Sequence, residues 1–141
     1  MIKLVCFLKA KQGLSVSQMR EHYENNHVPL ISRLLPAFAD YRRNYVMTEQ
    51  LAAPGSDNVL PAERDFDVMT EVFFSCIAAY RKNVDACSDP QIWQQIVEDE
   101  EKFLDRSATV MYVMEEVQTC SAEMTRMHAE SPRLKSPGTD R

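Results

Sequence analysis

The stretch EHYENNHVPL, residues 21–30, places two imidazoles and a phenol in a segment that is expected to be helical. His27 follows Tyr23 by four residues on the apolar stripe of that helix, so it is predicted to face the interior. His22 lies roughly 140° away from His27 around an α-helix and is predicted to face water or the edge of a cleft. His27 is therefore the better candidate for a site. The stripe consists of Val16, Met19, Tyr23, Leu30 and Leu34.

Two signals mark the start and the interruption of this helix. Ser15 or Ser17 is expected to cap its first turn. Pro29 cannot donate a hydrogen bond to the carbonyl of Asn25, and its ring crowds that turn, so a kink or restart is predicted near residues 26–28. A kink beside a buried imidazole leaves room for a ligand. The alternative is that His27 is a core histidine hydrogen-bonded to a backbone carbonyl and that Pro29 only interrupts the helix.

Length and composition indicate one domain with a real core: 141 residues, 45% hydrophobic, with 3 glycines. The net charge of -5 and the scattered basic residues argue against a nucleic-acid partner. Residues 1–9 are too short and too charged for a signal peptide, and no apolar run approaches the roughly 20 residues of a membrane span. A cytoplasmic protein with no membrane association is therefore expected.

The four cysteines lie far apart and form no C-x-x-C pair, which predicts free thiols. Cys6 and Cys76 stand in apolar contexts and are predicted to be small core residues. The sequence also contains no glycine-rich phosphate loop, no metal-spaced ligands and no flavin or nicotinamide fingerprint. We therefore expect neither a metal nor a cofactor.

Periodicity along the chain predicts the element order β-α-β-β-α-α-β. Strands are expected over residues 3–9, 39–47, 66–75 and 109–117, and the two later helices over 77–86 and 90–104.

Three polar segments are predicted to lie outside the core. The acidic run at residues 98–101 is predicted to be a solvated helix face. The polar connection at 48–64 has the composition of a mobile flap over a site. Residues 1–117 would form the domain, and residues 118–141 a polar tail with a short helix at most and then disorder.

This order is that of a ferredoxin-like split βαβ fold, an α+β arrangement of four antiparallel strands with helices on one face. The other sheet face would then remain uncovered. A homodimer that closes two such sheets into a dimeric α+β barrel would bury it.

Four segments carry a family resemblance: KLVCFLK at 3–9, GLS at 13–15, YENNHVPL at 23–30 and DYRRNY at 40–45. With them the chain resembles the EthD family of the dimeric α+β barrel superfamily, over most of residues 1–117. The resemblance implies a protomer that dimerises sheet to sheet around a small apolar cavity for a hydrophobic ligand. It also implies cofactor-free chemistry, since EthD-like members include dehydratases and decarboxylases of aromatic polyketide intermediates.

On that basis we expect a lyase or cyclase that acts on an aromatic, polyketide-like or other cyclic carbonyl compound. His27 would remove a proton next to the carbonyl. Tyr41 or Tyr45, with Arg43, would hold the enolate or a substrate carboxylate. Asp67 or Glu71 would orient the imidazole or protonate departing hydroxide. The other expected substrate-binding residues are Tyr23, Phe73, Trp93 and Tyr112.

Each assignment has an alternative. The strand tyrosines would instead be barrel packing, Arg43 would pair with Asp67 or Glu71 across neighbouring strands, and Trp93 would be core. At the level of function, the alternatives are a non-catalytic ligand-binding accessory protein for an oxygenase pathway and a cofactor-free monooxygenase.

Overall fold

The structure is a computed structural model that describes residues 1–47 and 64–130. The predicted flap at 48–64 therefore lies almost wholly outside the described residues, and so does the end of the predicted tail.

Four antiparallel strands form one sheet in the order β2-β3-β1-β4. This is the ferredoxin-like topology, and it confirms the predicted fold class. β1 has the predicted length but begins one residue earlier, and the other three strands are shorter than predicted, because only the residues within the hydrogen-bonded ladders count. They are β1 (Ile2–Leu8), β2 (Asp40–Tyr45), β3 (Val68–Phe74) and β4 (Val110–Glu115).

The helices follow the predicted order, with one further helix after the last strand. They are α1 (Val16–His22), a π turn (Tyr23–His27), α2 (Val28–Leu34), α3 (Ile77–Cys87), α4 (Pro90–Phe103), a 3-10 turn (Arg106–Ala108) and α5 (Ser121–Glu130).

The first helical segment begins at Ser15, which resolves the choice between two serine caps. Its hydroxyl accepts the backbone N–H of Gln18 at 3.1 Å, while the Gln18 side chain accepts the backbone N–H of Ser15 at 2.9 Å. The predicted interruption near residues 26–28 takes the form of the π turn, after which α2 starts with Pro29 in its first turn. A proline is tolerated there because its missing N–H is not needed.

The core lies between the sheet and the helices. It consists of two hydrophobic clusters that share no buried residue. The larger cluster joins β1 and β3 to α1, the π turn and the end of α4. Cys6 belongs to it, as predicted. Cys76 is exposed and stands at the start of α3, so its predicted place in the core is wrong. The cysteine closes the apolar run of β3, but the strand ends two residues earlier.

We call the sheet surface opposite the helices the open face. Phe7 on β1 packs edge-on against Phe66 and Tyr112, with centroid distances of 4.9 and 6.3 Å. On β2 the open face carries the polar residues Asp40, Arg42 and Asn44. Lys3 on β1 pairs with Glu71 and Glu116 at 2.6 and 3.0 Å. Within residues 1–47 and 64–130, no helix is long and apolar enough to cross a membrane.

The cap of α1 provides a first test of the structure. Ser15→Ala should lower the free energy of unfolding by about 1 kcal/mol, because it leaves first-turn N–H groups without their acceptor. Urea denaturation would measure it. Ser17→Ala is the matched control, since Ser17 is exposed and does not cap the helix. Equal losses from both substitutions would contradict the capping assignment.

Candidate active site

Two imidazoles converge on one carboxylate at the junction of the π turn and α4. Nδ1 of His27 lies 2.8 Å from Oδ2 of Asp99, and Nε2 of His22 lies 3.0 Å from Oδ1 of the same carboxylate. His27 is 4% exposed and Asp99 is 7% exposed. We call these three residues the His–Asp–His cluster.

The π turn explains why both histidines reach the cluster. Its backbone closes from residue i to residue i+5, as the N–H of Val28 donates to the carbonyl of Tyr23. Residues five apart therefore approach the same side of the helix, whereas α-helical spacing separates them. His22 was predicted to face water or the edge of a cleft, and its side chain is indeed 23% exposed, but its ring is also tied to the same buried carboxylate as His27.

Asp99 is the residue that sequence reasoning missed. The acidic run predicts a solvated face, yet Asp99 lies three residues after Ile96 and four before Phe103, both of which are buried on α4. This spacing places it on the apolar stripe of the helix and was available as a signal. A carboxylate on such a stripe requires buried partners, and the two histidines supply them.

Electrostatics favour a neutral His27. Burial lowers the pKa of this imidazole more than its hydrogen bond to Asp99 raises it. Burial raises the pKa of Asp99, but the hydrogen bonds from His27 and His22 outweigh that effect, and the carboxyl pKa lies below its usual value. Since Nδ1 of His27 faces an anionic acceptor, it carries the proton, and Nε2 keeps the lone pair.

Aromatic rings enclose the imidazoles. Phe103 stacks on His22 with a centroid distance of 4.8 Å and lies 5.0 Å from His27. Tyr23 meets His27 edge-on at 5.4 Å. These contacts fix the ring orientations and withhold water from His27, which is what sustains the low pKa of this imidazole.

A chain of three hydroxyls runs beside His27 into the sheet. The phenol of Tyr23 lies 2.7 Å from Oγ1 of Thr70 and 3.1 Å from the phenol of Tyr41. Burial raises the pKa of Tyr23 to about 12 and raises that of Tyr41 well above its usual value. Both phenols therefore stay protonated. The two contacts use two of the three hydroxyl protons, so one proton of the chain is left to donate elsewhere. Thr70 was not predicted.

Arg43 forms an ion pair with Glu24 of the π turn. Its guanidinium makes a bidentate contact with Glu24, at 3.0 and 2.7 Å, and Tyr45 donates to the same carboxylate at 2.7 Å. The hydrogen bond from Arg43 holds the pKa of Glu24 below its usual range. The alternative considered for Arg43, a pairing with Asp67 or Glu71, is therefore not observed. The predicted common face of Tyr41, Arg43 and Tyr45 is observed.

Two predicted acidic residues lie away from the cluster. Asp67 accepts the backbone N–H of Ala10 at 2.8 Å and pairs with Arg64 at 3.2 Å, so it joins the start of β3 to the end of β1. Glu71 is on the open face with Lys3. Asp99 takes the orienting position that was expected of either residue.

The predicted aromatic walls are also elsewhere. Phe73 and Tyr112 belong to the open face, because they alternate with the helix-facing residues of β3 and β4. Arg42 covers Phe73, with 4.5 Å from the guanidinium carbon to the ring centroid. Trp93 is 41% exposed on α4 and is neither core nor part of the cluster. Its side chain lies under Arg106.

A polar groove of about 380 Å³ between the first helical segment and α4 borders the cluster. Asp99 contributes to its lining together with Arg33 and Lys102. Among the residues that the structure describes, no group of three or more ligating side chains could hold a metal ion.

The family model of the EthD domain matches residues 11–107, which is more than half of the chain. The chain belongs to the EthD family. The resemblance to the EthD family is thus confirmed, and the matched residues include the segment around His27 but not the first strand.

Solved structures support the same fold. An ethyl tert-butyl ether D (EthD) family protein from Bacillus halodurans C-125 is 21% identical, with a TM-score of 0.54 over 83% of this chain and 99% of that one. An EthD-like protein from Ralstonia eutropha JMP134 is also 21% identical, with a TM-score of 0.58 over 86% and 96%. No curated protein matches the chain.

The cluster gives this EthD protein a defined pH dependence of stability. The folded state holds His27 at a lowered pKa, whereas the unfolded chain binds a proton near 6.5. Below that pH the unfolded state gains protons first, so stability should fall from about pH 7 to about pH 5. Asp99, whose folded pKa is also lowered, should add a further loss below about pH 4.

Urea titrations at several pH values would measure this dependence. His27→Gln keeps a hydrogen-bond donor but cannot titrate, so the loss between about pH 7 and about pH 5 should shrink. His128→Gln removes an exposed imidazole of α5 and serves as the control. An unchanged slope in His27→Gln would contradict the burial of a neutral imidazole.

Proposed function

We propose that this EthD protein is a cofactor-free lyase or cyclase that acts on a cyclic, aromatic or polyketide-like carbonyl compound, with His27 as its general base. The observation that carries this proposal is the state of His27. Its Nδ1–H is bound to Asp99, its pKa is lowered by burial, and no described residue hydrogen-bonds its Nε2. A neutral imidazole with one fixed nitrogen suits proton abstraction near neutral pH.

In a dehydration, Nε2 of His27 takes the proton next to the carbonyl, and the bonding electron pair forms the enolate. Asp99 then faces an imidazolium, whose charge its carboxylate stabilises at 2.8 Å. The enolate collapses to a conjugated carbonyl as the β-hydroxyl leaves. Nε2 of the His27 imidazolium returns the abstracted proton to the leaving oxygen, which departs as water, so that atoms and charge balance.

The phenols beside His27 are the donors proposed for the oxygen atoms of the substrate. Tyr23 and Tyr41 remain protonated because burial raises the pKa of both groups. A hydrogen bond from either phenol would stabilise the developing enolate oxygen in a dry site. Arg43 has a different role from the one first expected. Its charge is compensated by Glu24, so it positions Glu24 and Tyr45 instead of binding a substrate carboxylate.

Removal of the base tests the mechanism. His27→Ala should keep its fold and lose about 100- to 10,000-fold in turnover of a β-hydroxy cyclic ketone, the range that a general base supplies. Product formation by liquid chromatography with mass spectrometry would measure it, with circular dichroism to verify folding. His128→Ala is the matched control, since it removes an exposed imidazole of α5. Full activity in His27→Ala would exclude the base assignment.

A second candidate is a non-catalytic ligand-binding protein. The observation that favours it is the near-complete enclosure of His27, at 4% exposure between Phe103 and Tyr23. A structural histidine network has the same appearance. The two functions differ in kinetics, because a catalytic imidazole gives a rate that falls as the base is protonated, whereas a binder saturates without product.

We further propose that the protein is a homodimer that pairs through the open face. The side chains of β4 on that face are apolar and exposed: Val110 at 45%, Tyr112 at 52% and Met114 at 40%. They continue into the Phe7 and Phe66 contact, so the apolar part of the face spans two strands. A contiguous apolar patch of this kind marks an interaction site, and a second copy would bury it symmetrically.

A charge placed on the open face should break this dimer. Tyr112→Glu should shift the protein from dimer to monomer at micromolar concentration in sedimentation velocity, because burial of an unpaired carboxylate is costly. Val84→Glu is the control, since Val84 is an apolar residue of α3 with a similar exposure of 43%. A dimer that tolerates Tyr112→Glu as well as Val84→Glu would place the interface elsewhere.

A further inference from the structure

The segment that follows β4 carries an apolar stripe that no element within residues 1–47 and 64–130 covers. Met124 and Met127 are three residues apart on α5 (Ser121–Glu130), which places them on one side of that helix, and Val117 and Cys120 precede it. Val117, Met124 and Met127 are 91%, 50% and 61% exposed, and Cys120 is exposed as well. α5 itself buries no residue.

A helix in this situation depends on a partner. α5 has 10 residues, and isolated helices shorter than about 12–15 residues are marginal in water. Most helices gain their stability from packing of an apolar face. The methionine side chains on the stripe suit such packing, because they are flexible and adapt to irregular surfaces.

A matching surface lies on β4. Met111 and Val113 pair with Cys6 and Leu4 in the sheet register, so their side chains point to the helix side of the sheet. They are nevertheless 52% and 54% exposed. Among the described elements, none covers this end of the helix side. β4 is thus exposed on both faces, and the homodimer proposed above accounts for the open face alone.

We propose that α5 is an exchange arm that packs its apolar stripe on Met111 and Val113 of a second copy of this chain. The occupant is not the protomer's own arm, because Met111 and Met124 are both about half exposed in the same structure and so do not cover each other. The exchange is reciprocal, since a two-fold axis places the second arm on the first protomer.

The length of the arm permits this exchange. Residues 116–120 extend over at most about 17 Å, and a ten-residue helix adds about 15 Å. Two sheets that pack face to face are separated by about 10 Å. The arm can therefore pass the edge strand β4 and reach the far side of the partner's sheet. This arrangement also shields an edge strand that would otherwise invite uncontrolled pairing.

Disulfide trapping tests the exchange in the full-length chain. Cys76→Ser and Cys120→Ser first remove the two exposed thiols. One copy then carries Met111→Cys and a differently tagged copy carries Met124→Cys, and the mixture is oxidised under non-denaturing conditions. We expect a cross-linked heterodimer on a non-reducing gel, with the 111–124 disulfide verified by peptide mass spectrometry.

The controls separate exchange from chance collision and from self-docking. Arg126→Cys replaces Met124→Cys in the matched control, because residue 126 lies on the opposite side of α5 and should give at least about tenfold less cross-link. Equal yields would overturn the proposal. A chain that carries Met111→Cys and Met124→Cys together and forms an internal disulfide would also overturn it, since the arm would then cover its own protomer. Absence of any cross-link counts against it too.

Discussion

The five-residue π turn at Tyr23–His27 is the constraint on which the candidate site depends. Because its hydrogen bond runs from residue i to residue i+5, it brings His22 and His27 to one side of a continuous helical segment. Asp99 on α4 then bridges the two imidazoles, and this bridge ties the first helical segment to α4. Regular α-helical winding would leave one histidine in water and the buried carboxylate with a single partner.

The chemistry of the site follows from partnered polar groups in a dry environment. Burial lowers the pKa of His27 and raises those of Tyr23 and Tyr41, so a base in its neutral form lies beside acids in their protonated form. Arg43, by contrast, is neutralised by Glu24. The site is consequently better suited to stabilising an enolate through neutral donors than to binding a strong anion. EthD membership establishes the domain, and the site residues carry the functional proposal.

β4 takes part in both contacts that are proposed between two copies of the chain. It is an edge strand with apolar side chains exposed on both faces. The apolar side chains of β4 lie on two separate surfaces, the open face and the helix side. A second copy can cover both surfaces if α5 is exchanged. Edge strands need such protection, since their free backbone groups otherwise pair without control.

Local patterns in the sequence determined the fold. Strand alternation, the serine cap and the proline near residue 29 placed the four strands and the helices that precede β4 within a few residues, and the element order predicted the ferredoxin-like sheet. These features depend on neighbours along the chain, as does the common face of Tyr41, Arg43 and Tyr45. His27 was likewise predicted to be buried from its four-residue spacing to Tyr23.

Only the tertiary structure decided which polar groups meet. The π turn changed the angular spacing that α-helical reasoning assumes, and Asp99 lies 72 residues from His27 along the chain. Asp67 and Glu71 were plausible partners by type, but one is held by Ala10 and the other lies on the opposite sheet face. Pairing across elements depends on how helices pack on the sheet. A buried charge accepts whichever partner that packing brings within hydrogen-bond distance, and residue type alone does not specify it.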